Sequence, residues 1–447
     1  MVINFIDTFL QKLLLETVAQ AHDHSPFWHE QLEATHEKAP LDAFLLLPVL
    51  SKTRAIAAGK NLYNQSLNHL QDRVYLSSGT TRTNNESLFI RRQACENEAL
   101  HEFYKLEQKQ HETTTAIKKT TVFECFNVFH GLPSEQPENV FRAPWMYQVN
   151  FPELAFTALE DALVYSQGSI DLVRGSVSAL LTLALIAVDR GLNLAKYQTK
   201  IVSTNSYELT PRVKTILQQV YQPRVILNSY SLTEMPGSAS KCPFCKAFHF
   251  GEPPIYIEYF SPYDAMLKLE PTAGAIARLV LTTLYPFVQR TPLLRFDTGD
   301  LVRIHSFCEE QSRWGFVPVG RAASSIFVPC DDGMQPIVLS GEFYSIVDSI
   351  PEIKRHPHPI EVLGILPGNR LGMPQSQLFW REQTLIIQLA VNEPAHHAAI
   401  QKQILDGLCA THPLFKKKLQ DGLAIKFEFR EILEPLTTAN VNLQLGK

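Results

Sequence analysis

The 447-residue sequence has no apolar run long enough to cross a bilayer, so no membrane anchor is expected. It has no basic excess either. A formal net charge of −4 argues against general nucleic-acid binding. No internal repeat and no low-complexity linker marks off one part of the chain from another. An export signal is also missing: Val2–Ala21 carries Asp7, Lys12 and Glu16 through its apolar pattern, which predicts an amphipathic helix instead. Cysteine is scarce, and its count of 7 is odd, which disfavours a disulfide framework and suggests reduced thiols in a cytoplasmic protein.

What is present reads as an ordinary globular chain. Hydrophobic residues make up 45% and charged residues 19%, and the length suits two or more domains. Short β-type runs at Val74–Leu76, 121–129, Ile201–Ser203 and Arg224–Leu227 alternate with helical patterns at Glu96–Gln110, Leu154–Glu160, Val177–Arg190 and Pro211–Tyr221. This alternation predicts an α/β fold with a mostly parallel sheet. Ser51 is placed to cap a helix after Leu47-Pro48-Val49-Leu50. Beyond residue 250 the pattern turns β-rich, at Ile255–Phe260, Ala275–Thr283, Leu301–His305 and Phe316–Val319. Past Arg321 a smaller α+β segment is expected, with strands near 385–391 and 424–430 and a helix near 395–409.

Chemistry concentrates in a few runs. In Ser77-Ser78-Gly79-Thr80-Thr81, hydroxyls crowd around a glycine after an apolar stretch, as an anion such as a phosphate requires. Thr233-Glu234 follows a β-type run, where a hydroxyl could meet a phosphate and a carboxylate could hold Mg²⁺. In Phe296-Asp297-Thr298-Gly299-Asp300 a carboxylate after a tight turn could accept a ribose diol, and Gly320-Arg321 offers a guanidinium. Taken singly, each run reads equally as a turn or a solvated charge. Cys242-Pro243-Phe244-Cys245 with His249 has spacing suited to tetrahedral zinc, with Cys308 as the expected fourth ligand and Cys330 in reserve. Incidental reduced thiols or a redox Cys-x-x-Cys are the alternatives, the latter without a thioredoxin-like βαβ around it. Cys95, Cys125 and Cys409 sit among apolar residues and are expected in the core.

The order of these runs resembles the adenylate-forming (acyl-activating) superfamily, within it the phenylacetate–CoA ligase-like branch. Ser25-Pro26-Phe27-Trp28, Leu47-Pro48-Val49-Leu50-Ser51-Lys52, the helix region 172–191, and Ala273–Thr283 followed by Pro292–Asp300 are similar to successive elements of that branch. The resemblance implies a large adenylation domain at 1–320 and a mobile C-terminal domain at 321–447. It implies an acid–thiol ligase: a carboxylic acid, expected to be aryl, attacks ATP to give acyl-AMP, and a thiol, usually coenzyme A, then takes the acyl group. On this resemblance Ser78, Gly79, Thr80 and Thr81 cradle the β/γ-phosphates. Thr233 meets the α-phosphate, and Glu234 holds Mg²⁺. Asp300 and Arg321 bind ribose, with Glu208 and Tyr230 beside the adenine. Phe129, His130, Gly131 and Ser231 line the acyl pocket, and the zinc is structural. Lys447, after Gly446, matches the catalytic lysine near the family's chain end; a solvated tail is the other reading.

The sequence also departs from that pattern. Arg82-Thr83-Asn84-Asn85 stands where the family continues its phosphate loop with glycine, and Ala322-Ala323-Ser324 stands where it has an acidic hinge pair. The second change bears on the thiol step more than on adenylation. It keeps open a carrier protein, a protein cysteine or an amine as acceptor, and a drifted homologue that only binds a nucleotide or a partner. A homodimer is the default assembly.

Overall fold

The computed structural model describes residues 8–34, 39–77, 87–96, 98–99, 121–126, 139–144, 152–205, 208–251, 255–331, 333–433 and 442–445. Among them the chain is α/β and forms two compact units, one taking in residues up to 99 and 230–317, the other 121–229 and 318 onward. Among the described residues no helix is long and apolar enough to cross a membrane.

The first unit opens with helices α1 (Thr8–His24), α2 (Pro26–Glu33), α3 (Pro40–Leu46) and α4 (Lys52–Ala58). Ser25 caps α2 by accepting from the Trp28 N–H, and Ser51 caps α4 by accepting from Arg54 N–H, the second as expected from the sequence. Trp28 is fully buried, and its indole N–H donates to the Pro292 carbonyl at 2.9 Å, fastening α2 to the β-rich part. A hairpin of β1 (Arg73–Leu76) and β2 (Phe89–Arg92) follows.

The main sheet of this unit runs β10 (Tyr256–Phe260), β11 (Ile276–Thr282), β12 (Phe296–Cys308), β13 (Arg313–Arg321), β9 (Phe248–Phe250) and β8 (Ser238–Lys241). One apolar core, from Leu13 and Trp28 through Phe250 and Leu281 to Phe316, joins its sheet and helices.

The second unit contains the expected parallel sheet, in the order β7 (Val225–Ser231), β6 (Ile201–Asn205), β5 (Leu172–Ser176), β3 (Val122–Phe126) and β4 (Val140–Pro144). Its strands alternate with α5 (Pro152–Ser166), α6 (Val177–Asp189) and α7 (Pro211–Tyr221). Helix α6 reads VSALLTLALIAVD, apolar on every face, and is accordingly buried along nearly its whole length.

The C-terminal part supplies a hairpin, β14 (Ile326–Cys330) with β15 (Gly333–Val338), then α8 (Ser340–Asp348) and the short α9 (Pro359–Val362). It ends in a four-stranded sheet, β18 (Ala424–Arg430), β17 (Thr384–Ala390), β16 (Ser376–Arg381) and β19 (Asn442–Leu445), backed by α10 (His397–Thr411) and α11 (Pro413–Gln420). Most of this part has its own core around Phe343, Ile387 and Phe415, but Ile360 and Leu366 lie in the core of α6 and the parallel sheet.

Most of the helix expected at Glu96–Gln110 lies outside the described residues, as do residues 127–129 at the end of the strand expected at 121–129. One expectation is corrected. Asp297–Asp300 is not a tight turn between strands but lies inside β12. Between the pairs Val280↔Asp297 and Arg278↔Leu301, β12 carries more residues than β11, a bulge with Gly299 at φ 73°. Glycine is suited to that position because a side chain there would be strained.

Candidate active site and metal centre

β-branched and apolar residues at Val225-Ile226-Leu227 carry β7 to Ser231. The chain then turns through Leu232-Thr233-Glu234, with the Met235 N–H donating to the Leu232 carbonyl at 3.1 Å. The turn thus follows a strand end, as expected. Tyr230 packs edge-on against Phe250 and Phe316 and donates its hydroxyl proton to Asp300 Oδ2 at 2.6 Å. Asp300 is buried in the β12 bulge, its N–H held by Thr298 Oγ1. Asp297 takes no part in this pair; it accepts from Arg278 at 2.8 Å.

Glu234 is buried, and its Oε1 lies 3.8 Å from Lys52 Nζ. Lys52 opens α4, and the preceding Leu50 is locked to β12: its N–H donates to the Arg295 carbonyl at 2.8 Å and its carbonyl accepts from Asp297 N–H at 3.0 Å. From the other side, Arg92 at the end of β2 donates to the Glu234 backbone carbonyl at 3.1 Å. Arg92 is itself 3.9 Å from buried Glu96, whose carboxylate accepts the backbone N–H groups of Gln289 and Arg290 at 2.7 Å. Burial pushes the Glu96 carboxyl up, against the pull of Arg92.

One unit therefore brings together Lys52, Arg92, Tyr230, Glu234 and Asp300. Ser77 follows β1, and its hydroxyl accepts from the Leu88 N–H at 2.9 Å. Ser78, Gly79, Thr80, Thr81, Phe129, His130, Gly131 and Lys447 lie outside the described residues. Lys52 and Arg92 were missed as site residues from sequence. Lys52 sits in a run that resembles a family element, but nothing local marks it as a carboxylate partner. Arg92 carries no local signal at all.

Glu208 and Arg321 belong to the second unit. Glu208 retains solvent exposure, while the surrounding protein and then the Glu342 carboxylate push its carboxyl up to about 7. Arg321 closes β13 with its backbone fixed on both sides: its N–H donates to Ser340 Oγ at 2.8 Å, and its carbonyl accepts from Ser325 Oγ at 2.8 Å. Ala322-Ala323-Ser324, in place of the expected acidic pair, forms a 3₁₀ turn between these contacts.

The expected thiol cluster is assembled. The ligand atoms of Cys242, Cys245, His249 and Cys308 all lie within 4.8 Å of one another. Cys242 follows β8, His249 lies in β9 and Cys308 ends β12. Cys242 Sγ is 4.0 Å from Cys308 Sγ, near the roughly 3.8 Å edge of a tetrahedral zinc–thiolate site. Cys245 Sγ is 3.1 Å from His249 Nε2, and all of these cysteines are free.

The loop between the first two cysteines closes tightly. Lys246 takes φ 65°, its N–H donates to the Cys242 carbonyl, and Cys242 N–H donates to Ala247. Burial disfavours the Cys242 thiolate, but the N–H groups of Cys245 and Phe244 and the neighbouring thiols overcome this and lower its pKa. Burial, with Arg313 and His305, holds His249 down to about 4, so its imidazole is neutral and able to ligate. Its buried Nδ1 has no hydrogen-bond partner among the described residues. A Cβ at Gly315 would stand 2.5 Å from Ala247 Cβ and 3.0 Å from His249 Nε2, so only glycine allows β13 this close. The donor set and its spacing fit a metal ion. Cys330 is not in the cluster; it packs on the C-terminal core, as Cys409 does, while Cys125 is buried and Cys95 half-buried.

No protein-family model matches this chain, and no curated protein is significantly similar to it. Solved structures are similar in fold. An open conformation of 2-hydroxyisobutyryl-CoA ligase, in complex with its acyl-AMP and CoA, superimposes with a TM-score of 0.61 at 13% identity, covering 97% of this chain and 90% of that one. The same ligase in its thioesterification state gives a TM-score of 0.52 at 15% identity, covering 99% and 91%. An acyl acid amido synthetase gives 0.54 at 12% identity, covering 95% and 86%. Over nearly its whole length, the chain shares the fold of these solved structures.

Proposed function

We propose that the protein is an ATP-dependent ligase that activates a carboxylic acid as its acyl-adenylate and passes the acyl group to a thiol, coenzyme A being the first choice. The observation that carries this is the convergence of Glu234, Lys52, Tyr230 and Asp300 around the turn after β7, in a chain with the adenylate-forming fold. In open α/β folds ligands bind at strand ends of this kind. Membership of the phenylacetate–CoA ligase-like branch, with an aryl acid as substrate, is part of the same proposal.

In this reading ATP lies against the turn. Ser78, Gly79, Thr80 and Thr81 cradle its β/γ-phosphates, and Thr233 meets the α-phosphate. Glu234 would hold Mg²⁺, which neutralises charge on the phosphate oxygens; Lys52, relieved of Glu234, would then face those oxygens. The work is positioning and charge neutralisation of an in-line displacement by the substrate carboxylate. Asp300 and Arg321 take the ribose, and Tyr230 and Glu208 the adenine side. Phe129, His130, Gly131 and Ser231 contact the acid, and Lys447 assists adenylation from the C-terminal domain. Residues 1–320 act as the adenylation domain and 321–447 as the part that moves between half-reactions. Cys242, Cys245, His249 and Cys308 hold structural Zn²⁺. The setting is cytoplasmic and the assembly a homodimer.

A second reading changes only the acceptor. The likeness to an acyl acid amido synthetase supports an amine, and the hinge sequence Ala322-Ala323-Ser324 keeps a carrier protein in view. The test is carboxylate-dependent pyrophosphate release across aryl and aliphatic acids, without and then with CoA. Release that rises with one acid supports adenylation, and its response to CoA or to amines assigns the acceptor. Silence across the panel, with ATP still bound, would favour a binding-only homologue.

A further inference from the structure

A second group of metal-binding side chains lies where α1 meets α2, apart from the cysteine cluster. His29 and Glu33 are four residues apart on α2 and so share one face, while His22 lies in the last turn of α1. His22 Nδ1 is 2.9 Å from Asp23 Oδ1, and His29 Nδ1 is 3.1 Å from the His22 carbonyl oxygen. A carboxylate and a carbonyl only accept hydrogen bonds, so each Nδ1 carries a proton. In the neutral rings each Nε2 therefore keeps a lone pair.

That assignment creates a conflict which a cation resolves. His22 Nε2 faces Glu33 Oε1 at 3.1 Å. With the ring neutral, two lone pairs meet at that distance; either a second proton on the ring or a metal ion must lie between them. The two imidazole rings are 4.7 Å apart, and the ligand atoms of His22, His29 and Glu33 all lie within 4.8 Å of one another. Tetrahedral zinc places nitrogen and oxygen ligands roughly 3.4 Å apart. His29 is exposed, so its ring has room to adjust.

We propose that His22 and His29, each through Nε2, and the Glu33 carboxylate form a surface site for a first-row divalent cation of the zinc class. Two imidazoles and a carboxylate with an open fourth position are an established donor set for Zn²⁺. Asp23 and the His22 carbonyl orient the two rings, as the outer hydrogen bonds of metal-bound histidines do. The site has no thiolate and is open to water, so it exchanges metal faster than the cysteine cluster. Bound metal would tie the end of α1 to α2.

The test uses the untagged full chain, stripped of metal and titrated with Co²⁺, with bound metal counted by equilibrium dialysis at fixed free Co²⁺. Thiolate-to-cobalt absorption reports the cysteine cluster separately from the histidine site. The wild type should bind one equivalent more than His29→Ala or Glu33→Gln, with the thiolate band unchanged between them. Asp23→Asn should weaken that equivalent about tenfold or more. Equal stoichiometry in wild type and His29→Ala overturns the proposal, whatever the cysteine cluster does.

Discussion

Replacing Asp348 by alanine should remove a buried electrostatic clamp between α8 and the start of α7. Asp348 is fully buried. Its carboxylate accepts from Thr210 Oγ1 at 2.5 Å, Arg355 at 2.7 Å and Arg212 Nε at 3.2 Å. Thr210 is also the cap of α7, accepting from Val213 N–H at 3.3 Å, so losing Asp348 releases the capping hydroxyl as well. Removing one partner of a buried ion pair costs about 3–5 kcal/mol, because the other charge stays buried. Arg355 would keep the carbonyls of Gly372 and Asp348 as acceptors, which puts the expected loss near the lower end, about 3 kcal/mol. For a unit of this size that is a Tm decrease of roughly 6–12 °C, read by calorimetry at pH 7. Asp348→Asn, which keeps an acceptor but not the charge, should lose about half as much.

The pH dependence of that difference has a definite sign. Burial alone would raise the Asp348 carboxyl, but Arg212 and Arg355, with Thr210, more than offset it and hold it below the usual range. A depressed folded-state pKa means that the stabilisation is fully present above the unfolded value of about 3.9 and is lost as pH falls through the folded value. The gap between wild type and Asp348→Ala should therefore stay constant from pH 7 to about pH 5 and narrow below about pH 4. A variant melting within a degree of wild type at pH 7, or a gap that widens in acid, would refute the reasoning.

Three further outcomes are expected. Glu234→Gln should cut Mg-ATP-dependent pyrophosphate release on the order of a hundredfold while leaving the melting curve in place; wild-type turnover would take the metal role from Glu234. Cys242→Ser should lower zinc content from about one equivalent per chain and lower the Tm, and purified wild type without zinc by elemental analysis would end that assignment. Tyr230→Phe removes the 2.6 Å hydrogen bond to Asp300 and should weaken ATP binding about tenfold, measured by titration calorimetry; unchanged affinity would separate the pair from the nucleotide.

What the sequence made legible follows from how local each signal is. The alternation of β-branched runs with helical periodicity marked β3, β6 and β7 with α6 and α7, because those patterns depend on neighbours a few residues away, whereas β5 (Leu172–Ser176) was absorbed into the helix region expected at 172–191. The cysteine cluster was legible because soft ligands are rare and their spacing is short, although the fourth ligand lies across a sheet. Asp297–Asp300 was misjudged as a turn because Gly299 marks a sharp backbone change in either setting, and only the pairing of β12 with β11 distinguishes a bulge. Pairs made across long separations were invisible: Thr210 with Asp348 spans 138 positions, and Tyr230 with Asp300 spans 70. The hairpin β14–β15 and helix α8 also escaped notice, since each is short and amphipathic without a strong flanking signal.

Four buried or half-buried acids of this chain are held by close arginine contacts. Asp72, Glu258, Asp297 and Asp348 each receive a guanidinium, from Arg290, Arg295, Arg278 and Arg355, at 2.9, 3.1, 2.8 and 2.7 Å. These are close, directional contacts that suit permanent pairs. Glu234 is buried to a similar degree, yet it stands 3.8 Å from an ammonium on a flexible stem, too far for a hydrogen bond. A carboxylate paired so loosely keeps lone pairs available for another cation. The loosely paired acids, Glu234 and Glu96 with Arg92 at 3.9 Å, lie together beside the turn after β7, and a loose pair there is what the proposed metal role of Glu234 requires, while the arginine-bound acids hold the fold.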